Sequence, residues 1–310
     1  MTVSKDDVIA MLNEDMRGEH AAIVQYLLHA YAMGEGEFAA EIEAIARDEM
    51  RHYDWLGEAV VELGGTPTIE RGPVKRAADH VANMRLDVAA EEEAIALYQQ
   101  HIAAIDDSKL KRLLQRIVND EQAHHGVFVK LAGKMQAEAA AEEGGAPAQA
   151  PDATTVEILD TGIKHEYTVI LQYLFHSFIT PHCEISRELE MQAINEMQHL
   201  GWLAEEMSGM GGSVEIERTA VNQSPDTVEM LAADIRAERA VTKDYEAQMG
   251  QLKDPGLKQL IARIREHEIY HDAVFSDMLQ SLQPQSESQK AEDESKPPIP
   301  KGFTVGTLKE

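Results

Sequence analysis

Glutamate and histidine occur four times with the spacing Glu-x-x-His, in stretches of helix-favouring residues that contain no proline. On a helix, residues three positions apart lie on one face, so each pair directs a carboxylate and an imidazole to the same point. Two such pairs, with one further glutamate from each of two other helices, form a di-metal carboxylate centre in a four-helix bundle. The four pairs are Glu49/His52, Glu121/His124, Glu196/His199 and Glu268/His271.

The additional glutamates occur at the required places, and the whole arrangement is present twice. Glu19 precedes the first pair, and Glu91 lies between the first pair and the second. Glu166 and Glu238 occupy the corresponding places in the second half of the chain. Glu19 and Glu166 are 147 positions apart, and the same offset relates the other three glutamates to their counterparts. The sequence therefore contains an internal duplication.

Each half offers four carboxylates and two imidazoles to one buried site. Four carboxylates without counter-charge are too costly to bury, whereas two divalent ions supply a matching positive charge. Oxygen-rich sites with one histidine per metal suit iron or manganese better than structural zinc, which prefers cysteine and histidine. The predicted roles are bridging for Glu49, Glu121, Glu196 and Glu268, terminal for Glu19, Glu91, Glu166 and Glu238, and one imidazole per metal from His52, His124, His199 and His271.

The composition agrees with two helical domains. The chain has 310 residues, of which 44% are hydrophobic and only 5% aromatic, as is typical of helical bundles. Its net charge of −27 argues against a nucleic-acid partner. The single cysteine, Cys183, excludes an intrachain disulfide and a four-cysteine iron site, and it suits a reducing cytoplasm. We expect no signal peptide and no membrane-spanning segment.

We predict an all-α protein that consists of two tandem four-helix bundles. Residues 1–137 form the first bundle, a linker rich in Ala, Gly and Pro spans 138–154, and residues 155–283 form the second bundle. The polar stretch 284–300 is predicted to be a disordered tether, and 301–310 form a short terminal segment with apolar residues. The predicted helices lie near residues 4–33, 37–63, 78–104, 109–135, 156–178, 183–207, 225–249 and 255–283.

The residues around the predicted ligands resemble bacterioferritin. The first-helix signature of that family is similar to Glu19 together with the later stretch Gln25-Tyr26-Leu27-Leu28-His29. Its second-helix motif is similar to Asp48-Glu49-Met50-Arg51-His52-Tyr53-Asp54. The resemblance covers both bundles and implies ferritin-like folds with a ferroxidase centre that oxidises Fe(II) with O2 or H2O2. The linker stands where the family has a short fifth helix that closes its cage, so we do not expect a self-assembled cage.

The resemblance implies further roles for two residues in each half. Tyr26 and Tyr173 are candidate electron donors near the metal sites; the alternative is a core ring with a hydrogen-bonded hydroxyl. Met50 and Met197 align with the methionine that binds haem across a two-fold interface in the family. If the halves pair as a pseudo-dimer, the two methionines would hold one haem b; the alternative is an adaptable core methionine.

The surroundings of the ligands differ between the halves. The second half has Asn195, Gln198 and Leu200 in place of Asp48, Arg51 and Tyr53. We therefore expect the contacts behind its ligands, and the path by which iron reaches it, to differ. Other histidines are expected at the surface or in ion pairs rather than at the metals, among them His20, His80, His101, His125 and His267.

The last residues resemble a cargo-loading peptide of encapsulin shells. Such peptides place spaced aliphatic side chains in apolar grooves of the shell wall, which assigns Val305 and Leu308 as anchors. Residues 303–308 would then bind an encapsulin shell protein and place the chain inside a nanocompartment in the cytoplasm. The alternative is a disordered tail with incidental apolar residues. The stretch reads Phe303-Thr304-Val305-Gly306-Thr307-Leu308-Lys309.

Three functions are compatible with these features. The favoured one is a ferroxidase for iron storage or detoxification, with Fe(II) and O2 or H2O2 as reactants and no nucleic-acid or membrane partner. The second is a peroxide-removing di-iron or di-manganese protein of rubrerythrin or catalase type, although the cysteines of a rubredoxin site are missing. The third is a non-enzymatic helical scaffold or metal buffer, against which the complete ligand sets in both halves argue.

Overall fold

The computed structural model describes residues 3–34, 36–139 and 152–282, and within these ranges the chain is all-α, as predicted. No helix in these ranges is long and apolar enough to cross a membrane. The predicted linker lies mostly outside the described residues, and the predicted tether and terminal segment lie wholly outside them. The helices are α1 (Lys5–Met33), α2 (Glu37–Glu62), α3 (His80–Ala104), α4 (Ser108–Ala139), α5 (Ala153–Ile179), α6 (Cys183–Gly209), α7 (Thr227–Met249) and α8 (Pro255–Leu282).

Side-chain caps determine where several of these helices begin. The Ser4 hydroxyl accepts a hydrogen bond from the backbone N–H of Asp7, and the Asp7 carboxylate accepts one from the backbone of Ser4, which completes a capping box. Asp79, Asp152 and Asp226 cap α3, α5 and α7, each by accepting a bond from the backbone N–H three residues later. Local sequence thus fixes the starts of four helices.

Long crossovers without helix connect the second and third helices of each bundle. They begin at Gly64 and Gly211, whose φ angles of +71° and +76° favour glycine. In the first crossover, the backbone N–H of Lys75 donates to the side chain of Gln25 on α1. The equivalent bond is present in the second bundle. Each crossover is therefore held against the first helix of its own bundle.

A polar layer lies between two apolar layers in each bundle. On α1, Met16 belongs to one apolar layer and Tyr26 to the other, and Glu19 lies between them. The same order is found on the other three helices of the first bundle and on the four helices of the second. The predicted metal ligands therefore lie in the middle of each bundle, with apolar side chains above and below them.

The two bundles contact each other reciprocally, with α1 on α6 and α2 on α5. Arg71 donates to Glu217 at 2.7 Å, and Arg218 donates to Glu70 at 2.7 Å. The duplication relates the two arginines to each other, and likewise the two glutamates. The bundles are thus related by a pseudo-two-fold axis, as the subunits of an isologous dimer are.

The expectation that His20 lies at the surface or in an ion pair is wrong. It is buried between the bundles, with Nε2 2.6 Å from the hydroxyl of Tyr167 and Nδ1 3.3 Å from the carbonyl oxygen of Glu70. A neutral imidazole satisfies both bonds by donating from Nδ1 and accepting at Nε2. Burial, together with the charges of Arg71 and Arg218, lowers the pKa of His20 to about 4.

Candidate metal centres

All twelve predicted ligands are brought together, six in each bundle, and all are buried. The six form two overlapping groups that share the glutamates of the two Glu-x-x-His pairs. One ligand atom from each member of a group lies within 4.8 Å of the others. The groups are Glu19, Glu49, His52 and Glu121; Glu49, Glu91, Glu121 and His124; Glu166, Glu196, His199 and Glu268; and Glu196, Glu238, Glu268 and His271.

The shared glutamates of the first bundle divide their oxygens between two histidines. Glu49 Oε2 lies 2.9 Å from Nδ1 of His52, and its Oε1 lies 3.0 Å from Nδ1 of His124. Glu121 Oε1 lies 2.9 Å from Nδ1 of His52, and its Oε2 lies 3.2 Å from Nδ1 of His124. Each carboxylate therefore spans two adjacent positions, as a bridging ligand must.

The second bundle repeats this division atom for atom. Glu196 Oε2 lies 2.7 Å from Nδ1 of His199, and its Oε1 lies 2.7 Å from Nδ1 of His271. Glu268 Oε1 lies 3.0 Å from Nδ1 of His199, and its Oε2 lies 3.2 Å from Nδ1 of His271. The duplication has thus kept the geometry of the ligands as well as their identity.

Tyrosines hold the two remaining glutamates of each bundle. Glu19 Oε2 lies 3.6 Å from Nδ1 of His52, and its Oε1 accepts a hydrogen bond from Tyr98. Glu91 accepts a hydrogen bond of 2.7 Å from Tyr26. These glutamates therefore each face one position, as terminal ligands do. The equivalent bonds of the second bundle join Tyr245 to Glu166 and Tyr173 to Glu238.

Tyr98 and Tyr245 are site residues that the sequence analysis missed. They follow Glu91 and Glu238 by seven positions, which is about two helical turns, so they share a helix face with a predicted ligand. The same 147-residue offset relates them to each other. That repetition, combined with the shared face, is the signal that would have found them.

Hydrogen bonds alone do not satisfy these groups. Nδ1 of His52 carries at most one hydrogen, yet three carboxylate oxygens lie within 3.6 Å of it. Buried oxygens of Glu49, Glu121, Glu196 and Glu268 have no hydrogen-bond partner. Such atoms are costly to bury, whereas one divalent cation binds several oxygens at once. The donor set therefore fits two divalent ions per bundle, and its many oxygens with one nitrogen per ion suit iron or manganese.

The pKa values of the first cluster also support a site for divalent cations. Burial raises the pKa of Glu19 and of Glu91, and the neighbouring carboxylates raise both further. Burial also opposes ionisation of Glu121, but hydrogen bonds, above all with His124, outweigh it and lower its pKa to about 2. Burial likewise opposes the charge on His124, but hydrogen bonds with carboxylates raise its pKa to about 10. A bound cation must therefore displace imidazole protons.

Carboxylates stand behind the histidines of the first bundle. Nε2 of His52 lies 3.4 Å from an oxygen of Asp120, and Nε2 of His124 lies 3.4 Å from an oxygen of Asp48. A carboxylate that accepts the Nε2 hydrogen fixes the tautomer and leaves the Nδ1 lone pair for a metal. The first bundle therefore has the outer contacts of a metal-binding imidazole pair.

The second bundle has different outer contacts, as the sequence predicted. His267 takes the place of Asp120, and its Nδ1 lies 2.9 Å from Nε2 of His199. Asn195 takes the place of Asp48. His267 is half-buried and belongs to none of the ligand groups, but its partner is another imidazole, so the ion pair given as one possibility is not what it forms. This contact was not predictable from the spacing of the ligands alone.

The other three histidines behave as expected. His101 forms an ion pair of 2.8 Å with Asp15, and His125 forms one of 3.2 Å with Glu92. His80 is exposed. None of them belongs to the ligand groups of the described residues.

Met50 and Met197 both line a cavity of about 600 Å³ between the bundles. They lie at equivalent positions on α2 and α6, so each bundle contributes one methionine to the cavity. The cavity walls are not equivalent, because Arg47 of the first bundle is replaced by Ile194 in the second. The two halves therefore pair as a pseudo-dimer, with both predicted methionines at the interface.

Comparison with known proteins places these observations in a family. The ferritin-like domain matches residues 9–137 and again residues 156–284. A bacterioferritin of Desulfovibrio desulfuricans is 35% identical over 127 residues, which make up 39% of this chain and 71% of that protein. Bacterioferritin BfrA of Mycobacterium tuberculosis is 31% identical over 125 residues, which make up 38% of this chain and 79% of that protein.

Solved bacterioferritin structures match about the length of one bundle. That of D. desulfuricans, described with its diiron site in different catalytic states, has 33% identity and a TM-score of 0.41, and covers 43% of this chain and 81% of its own. That of Rhodobacter capsulatus, described with a metal-free dinuclear site and a haem iron, has 25% identity and a TM-score of 0.39, and covers 42% and 85%. Because the family match spans both bundles, this chain belongs to the ferritin-like domain family and carries two copies of the domain in tandem.

Proposed function

We propose that the chain is a ferroxidase that oxidises Fe(II) to Fe(III) at one di-iron centre per bundle, for iron storage or detoxification. The observation that carries the proposal is the division of each shared glutamate between two histidines, which defines two adjacent positions of the same composition. Two Fe(II) ions at these positions lose one electron each. With two protons, these electrons reduce one H2O2 to two waters, or one O2 to H2O2.

The proposed ligand roles follow the contacts in each bundle. Glu49 and Glu121 would bridge the two ions, because each places one oxygen beside each histidine. Glu19 and Glu91 would bind terminally, since a tyrosine occupies part of each carboxylate. The corresponding roles in the second bundle belong to Glu196, Glu268, Glu166 and Glu238, with one imidazole per ion from His52, His124, His199 and His271.

Tyr26 and Tyr173 are proposed as electron donors to their centres. Each is fully buried and donates its hydroxyl hydrogen to a terminal glutamate, Glu91 or Glu238. Where only one Fe(II) is oxidised, the ring would supply the second electron that reduces one H2O2 to two waters. Loss of that electron would release the phenolic proton, and that glutamate is placed to accept it. Tyr26→Phe and Tyr173→Phe should therefore leave Fe(II) binding intact and abolish a tyrosyl radical signal that forms during oxidation. Persistence of the signal in the double variant would rule out this role.

An Fe(II) titration under anaerobic conditions, followed by addition of oxidant, tests the ferroxidase. We expect about four Fe(II) per chain, two for each di-metal centre, and rapid formation of Fe(III) on addition of O2 or H2O2. If no Fe(II) binds, only the hypothesis of a non-enzymatic helical scaffold remains. Turnover of peroxide without retention of iron would favour the peroxide-removing di-iron or di-manganese protein.

The cavity between the bundles is proposed as a haem b site. It is large, it receives Met50 and Met197 from the two sides, and Arg47 provides a positive charge for a haem propionate. A haem held there would supply electron transfer between the cavity and the iron centres. Titration with haem should give one equivalent per chain with a bis-methionine spectrum, and Met50→Leu with Met197→Leu should remove that spectrum. An unchanged spectrum in the double variant would contradict the assignment.

Residues 303–308 are proposed to bind an encapsulin shell, with 284–300 as the tether and 138–154 as the linker between bundles. All of 303–308 lies outside the described residues, and the support is the sequence itself, with Val305 and Leu308 as anchors. Co-expression with a shell protein should give co-purification. Truncation after Pro300 should abolish it and leave Fe(II) oxidation intact. Encapsulation that persists after this truncation, or in the variant Val305→Asp with Leu308→Asp, would contradict the proposal.

A further inference from the structure

The first bundle contains a cavity of about 260 Å³ between α1, α3 and the first crossover. At one end it is lined by the exposed residues Gly18, Pro73 and Glu93. At the other end it is lined by buried glutamates of the candidate metal centre. The cavity therefore connects the protein surface to that centre. The glutamates are Glu19, Glu49, Glu91 and Glu121.

Small side chains form the walls of this cavity. Gly18, Ala21 and Ala22 contribute from α1, Gly72 from the crossover and Ala94 from α3. The Gly72 backbone is held against α1 by a hydrogen bond of 2.9 Å from its N–H to the carbonyl of Arg17. The crossover therefore closes one side of the cavity without filling it.

Unpartnered polar atoms lie at the inner end of the cavity. Asp15 Oδ2, Glu49 Oε1 and Glu121 Oε1 are buried without a hydrogen-bond partner, and all three residues line the cavity. A buried acceptor without a partner is costly unless a bound molecule reaches it. The two glutamate oxygens face the metal positions described above, so the cavity leads to the candidate centre itself, which distinguishes it from a packing defect between helices.

The second bundle carries larger side chains at the same places. Thr168 accepts a hydrogen bond of 3.0 Å from the N–H of Thr219, so a hydroxyl occupies the space that Ala21 leaves open in the first bundle. Val169 and Val241 are buried, with 2% and 3% exposure, where the first bundle has alanines. The replacements for Gly18, Ala21, Ala22, Gly72 and Ala94 are His165, Thr168, Val169, Thr219 and Val241.

We propose that this cavity is the passage by which a small uncharged oxidant, O2 or H2O2, reaches the first centre, and that the second centre has no equivalent passage. The proposal rests on the ferroxidase function proposed above, in which the oxidant takes up the electrons that Fe(II) loses. Apart from Asp15, Lys75, Glu93 and the glutamates of the centre, the cavity is lined by alanine, glycine and other uncharged side chains. These side chains admit a neutral molecule but give a cation little in exchange for its lost hydration. The first centre therefore reacts with oxidant faster than the second.

The test requires each centre to be measured alone. Glu196→Ala with Glu268→Ala leaves only the first centre, and Glu49→Ala with Glu121→Ala leaves only the second. In the first background, Ala22→Val with Ala94→Val introduces the residues that the second bundle itself carries. We expect the second-order rate constant for H2O2 to fall by about tenfold, which corresponds to about 1.4 kcal/mol in activation free energy. Anaerobic Fe(II) binding should remain at about two ions.

Two further variants distinguish closure of the cavity from a general loss of structure. Ala132→Val adds the same volume to α4 outside the cavity lining, and should leave the rate unchanged. In the second background, Val169→Ala with Val241→Ala opens the equivalent space and should increase the rate. A gain of rate cannot arise from misfolding.

Each alternative outcome contradicts a defined part of the proposal. If the variant Ala22→Val with Ala94→Val and its parent oxidise Fe(II) at equal rates, the cavity is not the passage for the oxidant. Slower Fe(II) loading with an unchanged dependence on oxidant would overturn the assignment to an oxidant, because the cavity would then carry the cation. A parent that binds no Fe(II), or binds it without oxidising it, would overturn the ferroxidase function and the passage with it.

Discussion

The two bundles have the same ligands in the same geometry, but they differ in what surrounds those ligands. In the first bundle, Asp120 and Asp48 stand behind the imidazoles, whereas His267 and Asn195 take their places in the second. Loss of one ligand would leave buried charges uncompensated, so the cluster tolerates little change. The outer contacts and the helix surfaces carry no such charge constraint. Duplication therefore permits two equal centres to acquire different access and different affinity.

The interface between the bundles shows a second effect of the duplication. His20 and Tyr167 are equivalent positions that contact each other on the pseudo-two-fold axis. In a dimer of identical subunits, a position on the axis meets an identical residue. Within one chain the two copies can differ, and here they form a donor–acceptor pair. Covalent fusion thus allows a contact that an identical pair does not make.

The largest expected effect comes from removal of a bridging glutamate. Glu49→Ala should abolish Fe(II) oxidation in the first bundle, because two metal positions each lose a ligand, and Glu196→Ala should do the same in the second. Each single variant should keep the activity of the other bundle, measured by Fe(III) absorbance after mixing with oxidant. Glu37→Ala, exposed on α2, is the control. If one variant alone eliminates all activity, the two centres are not independent.

The His20–Tyr167 contact should make stability depend on pH. The pKa of His20 is about 4 in the folded protein, below the ordinary value near 6.5 of an unfolded chain. As the pH falls below 6.5, His20 binds a proton in the unfolded chain, whereas in the folded protein it binds one only as the pH approaches 4. Stability is thus fully present above pH 6.5, decreases as the pH falls, and levels off below pH 4. Between pH 7 and pH 5 the loss from this group is about 2 kcal/mol.

Urea unfolding of the wild type and of His20→Gln at both pH values isolates this contribution. The variant cannot titrate at this position, so its stability should fall by about 2 kcal/mol less than that of the wild type over the same interval. His80→Gln, which replaces an exposed histidine, is the matched control. An equal pH dependence in all three proteins would show that the folded protein takes up this proton as readily as the unfolded chain, so that the pKa of His20 is not lowered by folding.

An exchange of outer contacts should change metal affinity by a smaller amount. Asp48→Asn gives the first bundle the residue of the second, and should weaken metal binding there by about tenfold, because a neutral amide oxygen accepts the outer hydrogen of His124 more weakly than a carboxylate does. Asn195→Asp should strengthen binding in the second bundle. Anaerobic Fe(II) calorimetry measures both. Equal affinities before and after either exchange would mean that the outer residues do not tune the centres.

The sequence predicted the fold and the twelve clustered residues because one offset repeated every predicted ligand. Tyr98 shows the limit of that approach: its repeat as Tyr245 is visible in the sequence, but its hydrogen bond to Glu19 on another helix is evident only once the helices are packed. His20 was misplaced because its burial depends on how the bundles dock, which no local pattern encodes. The passage in the first bundle was not predictable either, because alanine at positions such as 22 and 94 is ordinary in helices and marks a cavity only after packing.

The smallest expected effect concerns the reciprocal arginines at the interface. Arg71 and Arg218 each donate to a glutamate of the other bundle at 2.7 Å, but those glutamates are exposed, so each pair contributes less than about 1 kcal/mol. Arg71 also donates at 3.0 Å to the carbonyl of Ile216 across the interface. The second bond of Arg218 stays within its own bundle, on the carbonyl of Thr219. The two arginines occupy equivalent positions, but we therefore expect them to contribute unequally to the stability of the interface.

Arg71→Ala should consequently destabilise the protein more than Arg218→Ala, by about 1 kcal/mol, the contribution of one hydrogen bond. Urea unfolding at neutral pH measures both variants, with Arg112→Ala, exposed on α4 and remote from the interface, as the control. High salt should reduce the loss from Arg218→Ala, which removes mainly an exposed ion pair, more than it reduces the difference between the two variants. Equal losses would mean that the two arginines contribute equally to the interface despite their different second hydrogen bonds.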